Sequence, residues 1–92
     1  MPTARSGSAV GVIGGRIIIA GGDNEFTGEE QVFSATEAYN PVSDTWETLA
    51  PMPNPRHGMM GIASDNKALY FLGGGFRIGG RGYTNMFDVF TP

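Results

Sequence analysis

An internal repeat with a period of about 51 residues is the feature of the sequence that most restricts its fold. Residues 1–5, MPTAR, return at residues 52–56 as MPNPR, and Gly7 returns as Gly58 at the same spacing of 51 residues. A repeat of this length corresponds to one supersecondary unit that buries its apolar surface against a neighbouring unit. The chain is therefore predicted to contain two copies of one structural unit.

The spacing between the two copies changes only in turns and loops. Residues 17–22, IIIAGG, return at residues 69–74 as LYFLGG with a spacing of 52 residues, the extra residue lying in the turn at 65–67. The spacing is 51 residues again between YNP at 39–41 and FTP at 90–92. Loops tolerate changes of length and packed strands do not, so this pattern indicates a structural repeat.

Turn residues and apolar runs divide each copy into strands. In the first copy we predict four antiparallel strands, at residues 7–13, 16–20, 34–39 and 45–49. Gly14 and Gly15 form a tight hairpin turn, and residues 17–19 are apolar throughout, which is typical of a strand covered on both faces. In the second copy the third strand is predicted at residues 85–90, and no counterpart of the fourth follows. The sequence thus predicts an all-β fold of two four-stranded antiparallel sheets, the second without its outermost strand.

These positions resemble the kelch repeat. A glycine pair closes the second strand, a tyrosine is followed seven residues later by a tryptophan, and the Met-Pro-x-x-Arg segments resemble the link between successive kelch blades. The resemblance implies a fragment of a kelch-type β-propeller, with blade 1 at residues 1–51 and blade 2 at residues 52–92. It also implies structural roles for Gly21, Gly22, Tyr39, Trp46, Gly73, Gly74 and Phe90, the last standing where the family has tyrosine.

The composition is that of an ordered, turn-rich β protein. The chain contains 15 glycines, 6 prolines and 40% hydrophobic residues, whereas disorder requires low hydrophobicity with high net charge. A formal net charge of −3 gives no reason to expect nucleic acid or an anionic membrane as a partner. Without cysteine, disulfides and thiolate metal sites are excluded.

Motifs for catalysis are weak. The glycine-rich residues 73–82 match neither of the phosphate-binding patterns GxGxxG and GxxxxGK[ST], and the sequence contains no GxSxG. His57 is the only histidine, so it cannot form a histidine-based metal site without other ligands. We therefore predict no catalytic residue, no metal site and no cofactor. The alternative is a fragment of a larger kelch-propeller enzyme, of the sugar oxidase or sialic-acid epimerase type, that is inactive in isolation.

The order of the strands predicts a recognition surface. In a four-stranded antiparallel blade, the loop between strands two and three emerges on the same side as the link between blades. That side collects the candidate binding residues Arg5, Arg56, His57, Arg77, Arg81, Asp23, Glu25, Glu29 and Glu30. The resemblance to kelch adaptors of ubiquitin ligases implies that this side captures peptides, and the arginines are the candidates for contact with anions. The alternative is that these are solvated charges and weak ion pairs. We predict a non-catalytic protein- or ligand-binding or scaffold module.

Two blades alone are expected to leave an apolar face at each end. The side chains expected there are those of residues 17–19 and 69–72, Met59, Met60 and Trp46. Because propellers have about four to eight blades around an axis, we expect the chain to self-associate, with a ring of three chains favoured. The alternative is a longer polypeptide whose other blades close the ring, an origin that the start at Met-Pro and the stop before the fourth strand favour.

Overall fold

The computed structural model describes residues 1–24, 32–64, 67–77, 81–83 and 87–91. This part of the chain contains nine strands and no helix, and therefore no helix with the length and hydropathy of a membrane span. The strands are β1 (Ala9–Ile13), β2 (Arg16–Ala20), β3 (Thr36–Asn40), β4 (Thr45–Leu49), β5 (Met60–Ser64), β6 (Ala68–Leu72), β7 (Gly75–Arg77), β8 (Arg81–Tyr83) and β9 (Phe87–Phe90).

The first copy of the repeat forms the predicted four-stranded sheet, in the order β1-β2-β3-β4 with every neighbouring pair antiparallel. Gly14 and Gly15 have φ angles of 61° and 77°, the left-handed conformation that a two-residue hairpin turn requires. Strands β1 and β3 each begin two residues later than predicted. The reason is that the carbonyl oxygens of Gly7 and Ser34 accept hydrogen bonds from Gly58 and Met52 in the link of the second copy and not from a neighbouring strand.

The second copy forms a three-stranded antiparallel sheet in the order β5-β6-β9, which confirms the fold class. One part differs from the expectation. Residues 75–77 and 81–83, which lie before the predicted third strand of the second copy, form a separate antiparallel ribbon of β7 and β8. Gly75, at the start of β7, exchanges backbone hydrogen bonds with His57, and aromatic residues such as those at 76 and 83 favour extended backbone.

The core lies between the two sheets. Ala9, Ile18 and Ala38 of the first sheet are buried together with Leu69 and Phe71 of the second. The sheets approach closely because glycine stands where they meet. A Cβ atom at Gly61 would lie 2.9 Å from Ala9 Cβ, and one at Gly11 would meet the Leu69 side chain. The sequence predicted that residues 17–19 are covered on both faces of the strand. Within this chain only Ile18 is fully buried, because its neighbours point to the opposite side of the sheet.

Each sheet also has an outer face turned away from the other sheet. The front face, on the first sheet, includes the apolar and aromatic residues Val10, Val12, Ile17, Ile19, Tyr39 and Trp46. The back face, on the second sheet, consists of Met60, Ile62, Tyr70, Leu72, Phe87 and Val89. Val12 is 57% exposed and Met60 is 61% exposed. Met59, Leu69 and Phe71, expected on the end faces, are instead buried between the sheets.

Candidate functional site

The links and the connections after the second strands meet at one side of the two sheets. In the first copy, Ser6 and Asp23 exchange two backbone hydrogen bonds of 3.0 and 2.8 Å. In the second copy, His57 and Gly75 repeat this exchange at 3.0 and 2.9 Å. The same bridge thus forms twice at equivalent positions and holds the entrance of each innermost strand against the end of the second strand.

A buried ion pair or hydrogen bond joins the two bridges. His57 Nδ1 lies 3.2 Å from Asp23 Oδ2, and Ser6 Oγ donates a hydrogen bond of 3.1 Å to Asp23 Oδ1. The side chains of His57 and Asp23 are almost fully buried. The carboxylate of Asp23 therefore connects the link segments of both copies, and the structure brings together two of the predicted binding residues.

The buried side chain of Arg5 lies at the same end of the first sheet, where β2 ends and β3 begins. Its Nη1 donates hydrogen bonds to the carbonyl oxygens of Gly21 at 2.9 Å and Ala35 at 2.6 Å, and its Nη2 donates to the carbonyl oxygen of Ile19 at 3.2 Å. Nη2 also lies 2.8 Å from Glu37 Oε1 in an ion pair whose side chains are 0% and 5% exposed. Burial lowers the pKa of the Arg5 guanidinium from its ordinary value, and the charge and hydrogen bond of Glu37 act in the opposite direction. The arginine thus ties the end of β2 to the start of β3.

Arg56 occupies the equivalent place in the second copy. It donates hydrogen bonds to the carbonyl oxygen of Gly73 at 3.0 Å and to Asp88 Oδ2 at 2.8 Å. Glu37 and Asp88 are the acidic partners of the two arginines, and the sequence analysis did not select them as site residues. The signal was present, because the two acids are 51 residues apart, in phase with the arginines, and each lies two residues before the aromatic position of the repeat.

The nine predicted binding residues therefore fall into different environments. The guanidinium groups of Arg5 and Arg56 are turned inward onto carbonyl and carboxylate oxygens, which gives them a structural role. Arg77 and Arg81 are backbone partners across the β7–β8 ribbon, and anion contact stays a prediction for this pair. Glu25, Glu29 and Glu30 lie outside the described residues. No group of three or more metal-ligating side chains comes together among residues that the structure describes.

Both glycine pairs lie against the link of the second copy. Gly22 N–H donates a hydrogen bond of 2.8 Å to the carbonyl oxygen of Arg56. A Cβ atom at Gly21, which has a φ of 70°, would overlap that same oxygen and the Met59 side chain. One at Gly74 would lie 2.6 Å from the carbonyl oxygen of His57. Glycine is thus required here both for its backbone conformation and for the approach of the link.

The aromatic positions of the repeat make packing contacts. The rings of Tyr39 and Trp46 are 5.0 Å apart between centroids, with an interplanar angle of 43°. Tyr39 Oη donates a hydrogen bond of 2.7 Å to Asp44 Oδ1, and this bond raises the pKa of the tyrosine hydroxyl. Phe90 packs against the core of the two sheets.

Comparison with known proteins gives the same protein family as the one that the repeat resembles. The sequence matches the Kelch motif over residues 4–53. The chain belongs to the kelch-repeat family, and its fold is that of a kelch-type β-propeller.

Two curated relatives and one solved structure extend the match. Kelch-like protein terF of Aspergillus terreus is 33% identical over 92 residues, which is 100% of this chain and 20% of the relative. Influenza virus NS1A-binding protein of Homo sapiens is 39% identical over 74 residues, covering 80% of this chain and 11% of the relative. The structure of YjhT matches with a TM-score of 0.65 and 25% identity over 76% of this chain and 20% of that one. The chain therefore spans a fifth or less of the length of these proteins.

Proposed function

We propose that the chain, with blades at residues 1–51 and 52–92, is a non-catalytic module that binds a protein or peptide through its loop face. We define the loop face as the side of the sheets where the links and the connections after the second strands meet, which includes the β7–β8 ribbon. The observation that carries the proposal is the buried contact of Asp23 with His57, which holds the connections of both copies together at this side. The name of one relative, influenza virus NS1A-binding protein, states that it binds a protein. Loops on a rigid β scaffold are common sites of recognition.

The β7–β8 ribbon contains two of the arginines predicted to contact anions. Arg77 and Arg81 are directly opposed in the register. Like charges at opposed positions of a β pair repel each other, and an anion shared between them removes the repulsion. Acidic side chains of a partner are the ligand chemistry that fits this arrangement.

Removing both arginines is expected to weaken binding of an acidic probe peptide. For a fluorescein-labelled hexaglutamate peptide, we expect the Kd of Arg77→Ala/Arg81→Ala to rise at least about tenfold in fluorescence anisotropy, because charge-assisted hydrogen bonds are lost. Lys67→Ala is the matched control. It removes the same type of charge from the β5–β6 turn at the opposite ends of the strands, where Lys67 is exposed. Equal affinity of the double variant and the wild type would contradict the role of the pair.

The front and back faces support self-association as a second part of the proposal. By the repeat, back-face residues Met60 and Phe87 correspond to Ala9 and Thr36, which lie on the buried side of the first sheet. Front-face residues likewise correspond to the buried side of the second sheet, Ile19 to Phe71 for example. The back face of one copy set on the front face of another therefore repeats the contact inside the chain. Such head-to-tail contacts close into rings, and three chains give six blades, within the range of about four to eight for propellers.

Sedimentation at micromolar concentration is expected to show a species of three times the 9.7 kDa chain mass. Met60→Asp, on the back face, and Val12→Asp, on the front face, should each give monomers, because every copy of a variant lacks one of the two faces that the contact requires. Mixed together, they should form a dimer through the two intact faces. Val42→Asp, a substitution of a valine 95% exposed in a turn, is the control and should leave the assembly unchanged. A well-folded wild-type monomer would refute self-association.

A further inference from the structure

A backbone bridge holds the start of the connection after the second strand in each copy. The first bridge joins Ser6 to Asp23, and the second joins His57 to Gly75. Each of them pairs one residue with one other, outside the ladders of the two large sheets. A contact with so few hydrogen bonds can open locally while the sheets stay folded. The loop face therefore contains two elements that can each be open or closed.

One short stretch of the link, residues 56–58, keeps the two bridges next to each other. The carbonyl oxygen of Arg56 accepts a hydrogen bond of 2.8 Å from Gly22 N–H, and Gly58 N–H donates one of 2.7 Å to the carbonyl oxygen of Gly7. Both bonds connect sequence neighbours of the first bridge to sequence neighbours of the second. The bridges are thus placed side by side, although they belong to different copies of the repeat.

A side-chain contact joins the two bridges directly. His57 Nδ1 lies 3.2 Å from Asp23 Oδ2, and the side chains of His57 and Asp23 are 9% and 4% exposed. A buried polar group that loses a partner without reaching water is destabilised more than an exposed one. If one bridge opened alone, the polar group left in the other bridge would lose this contact while still buried. Opening of both bridges together exposes both groups to water and avoids that cost.

The two oxygens of the Asp23 carboxylate have different partners. Oδ2 contacts His57 of the second bridge, whereas Oδ1 accepts a hydrogen bond of 3.1 Å from Ser6 Oγ within the first bridge. Ser6 is exposed, so its hydroxyl can be removed without a change in the buried pair. The chain therefore offers a way to weaken the first bridge alone and to ask whether the second one responds.

We propose that the two bridges open and close as one cooperative unit, with the contact between Asp23 and His57 as the coupling element. Coupling between two sites is reciprocal, so restraint of either connection stabilises the other. A partner bound at one connection would then be felt at the other, a consequence that rests on the binding function proposed above. The coupling itself belongs to the unliganded chain.

Amide hydrogen exchange of the full chain, followed by NMR without ligand, tests this coupling. In the wild type, the N–H groups of Ser6, Asp23, His57 and Gly75 should show one opening free energy and one urea dependence. Ser6→Ala should speed exchange at Gly75, in the other bridge, by about tenfold, because a hydrogen bond to a carboxylate is lost from the shared unit. Ser43→Ala, a change of an exposed serine in the β3–β4 turn, is the matched control and should leave Gly75 unchanged.

His57→Leu removes the contact between the bridges and keeps a side chain of similar size. With its fold checked by circular dichroism, this variant should show two separate opening events, and adding Ser6→Ala to it should no longer affect Gly75. If Ser6→Ala left Gly75 unchanged in the wild type, the bridges would open separately and the proposal would be wrong. A full response of Gly75 in the leucine variant would also overturn it, because the coupling would then run through the backbone. The arm with Ser6→Ala alone remains decisive if His57→Leu does not fold. Since no ligand is used, failure of the binding proposal does not alter the outcome.

Discussion

Replacing Arg5 by methionine is expected to lower the free energy of unfolding by about 3–5 kcal/mol. The substitution leaves the Glu37 carboxylate, 5% exposed, without its ion-pair partner. It also removes the donors to the carbonyl oxygens of Ile19, Gly21 and Ala35. Since a small domain has a total stability of about 5–15 kcal/mol, this loss is a large fraction of the whole. Urea denaturation followed by Trp46 fluorescence measures the change, at one fixed protein concentration so that assembly does not alter the comparison.

Arg16→Met is the matched control for this effect. Arg16 lies 2.8 Å from Glu47, the same distance as in the buried pair, but the two side chains are 27% and 62% exposed. A solvent-exposed ion pair contributes about 0–1 kcal/mol, so the control should change stability little. Adding Glu37→Leu to Arg5→Met should restore part of the loss, because no unpaired buried charge remains. If Arg5→Met and Arg16→Met were equally stable, the structural role assigned to Arg5 would be incorrect.

Gly21→Ala is expected to destabilise the chain by about 2–4 kcal/mol. The φ of 70° at this position is unfavourable for any residue with a Cβ atom. The new methyl group would also overlap the carbonyl oxygen of Arg56, which is backbone and cannot rotate away. The link of the second copy would have to shift, and the hydrogen bond from Gly22 to Arg56 would be strained with it. Thermal unfolding by circular dichroism gives the change in Tm.

Gly14→Ala separates the two contributions to this effect. Gly14 has a φ of 61°, close to that of Gly21, but a Cβ atom there would meet no other atom within 4 Å. Alanine at Gly14 therefore carries only the cost of the left-handed conformation, about 1–2 kcal/mol. The excess loss at Gly21 reports the contact between the copies. Equal losses at the two positions would show that the link does not press on the glycine pair.

The repeat made the sheets predictable, whereas the environment of its charged residues was not. Insertions confined to turns preserved the phase of the apolar segments, so the two sheets could be derived from the sequence. The burial of Arg5 and Arg56 could not, because arginine is rarely buried unless paired, and the paired acids are distant in sequence. Glu37 is 32 residues from Arg5, and Asp88 is 32 residues from Arg56. Two identical separations are a signal that only a comparison of both copies makes visible.

The repeat also predicts only in part which face of each sheet packs against the other sheet. Strand alternation divides residues 17–19 between the two sides, but a run of three isoleucines gives no preference for either. The glycines determine which face packs against the other sheet, because the sheets approach each other closely at Gly11 and Gly61. Their effect depends on what lies opposite in space, and no local pattern reveals that.

The links give the two copies a common folding unit. Met52 N–H donates to the carbonyl oxygen of Ser34, Gly22 N–H to that of Arg56, and Gly58 N–H to that of Gly7. Every one of these hydrogen bonds joins a residue before position 51 to one after it, so the first copy completes its hydrogen bonding with backbone that belongs to the second. The segment that is repeated in the sequence is therefore shorter than the segment that can fold, and a kelch blade transplanted into another protein needs the opening residues of its successor as well.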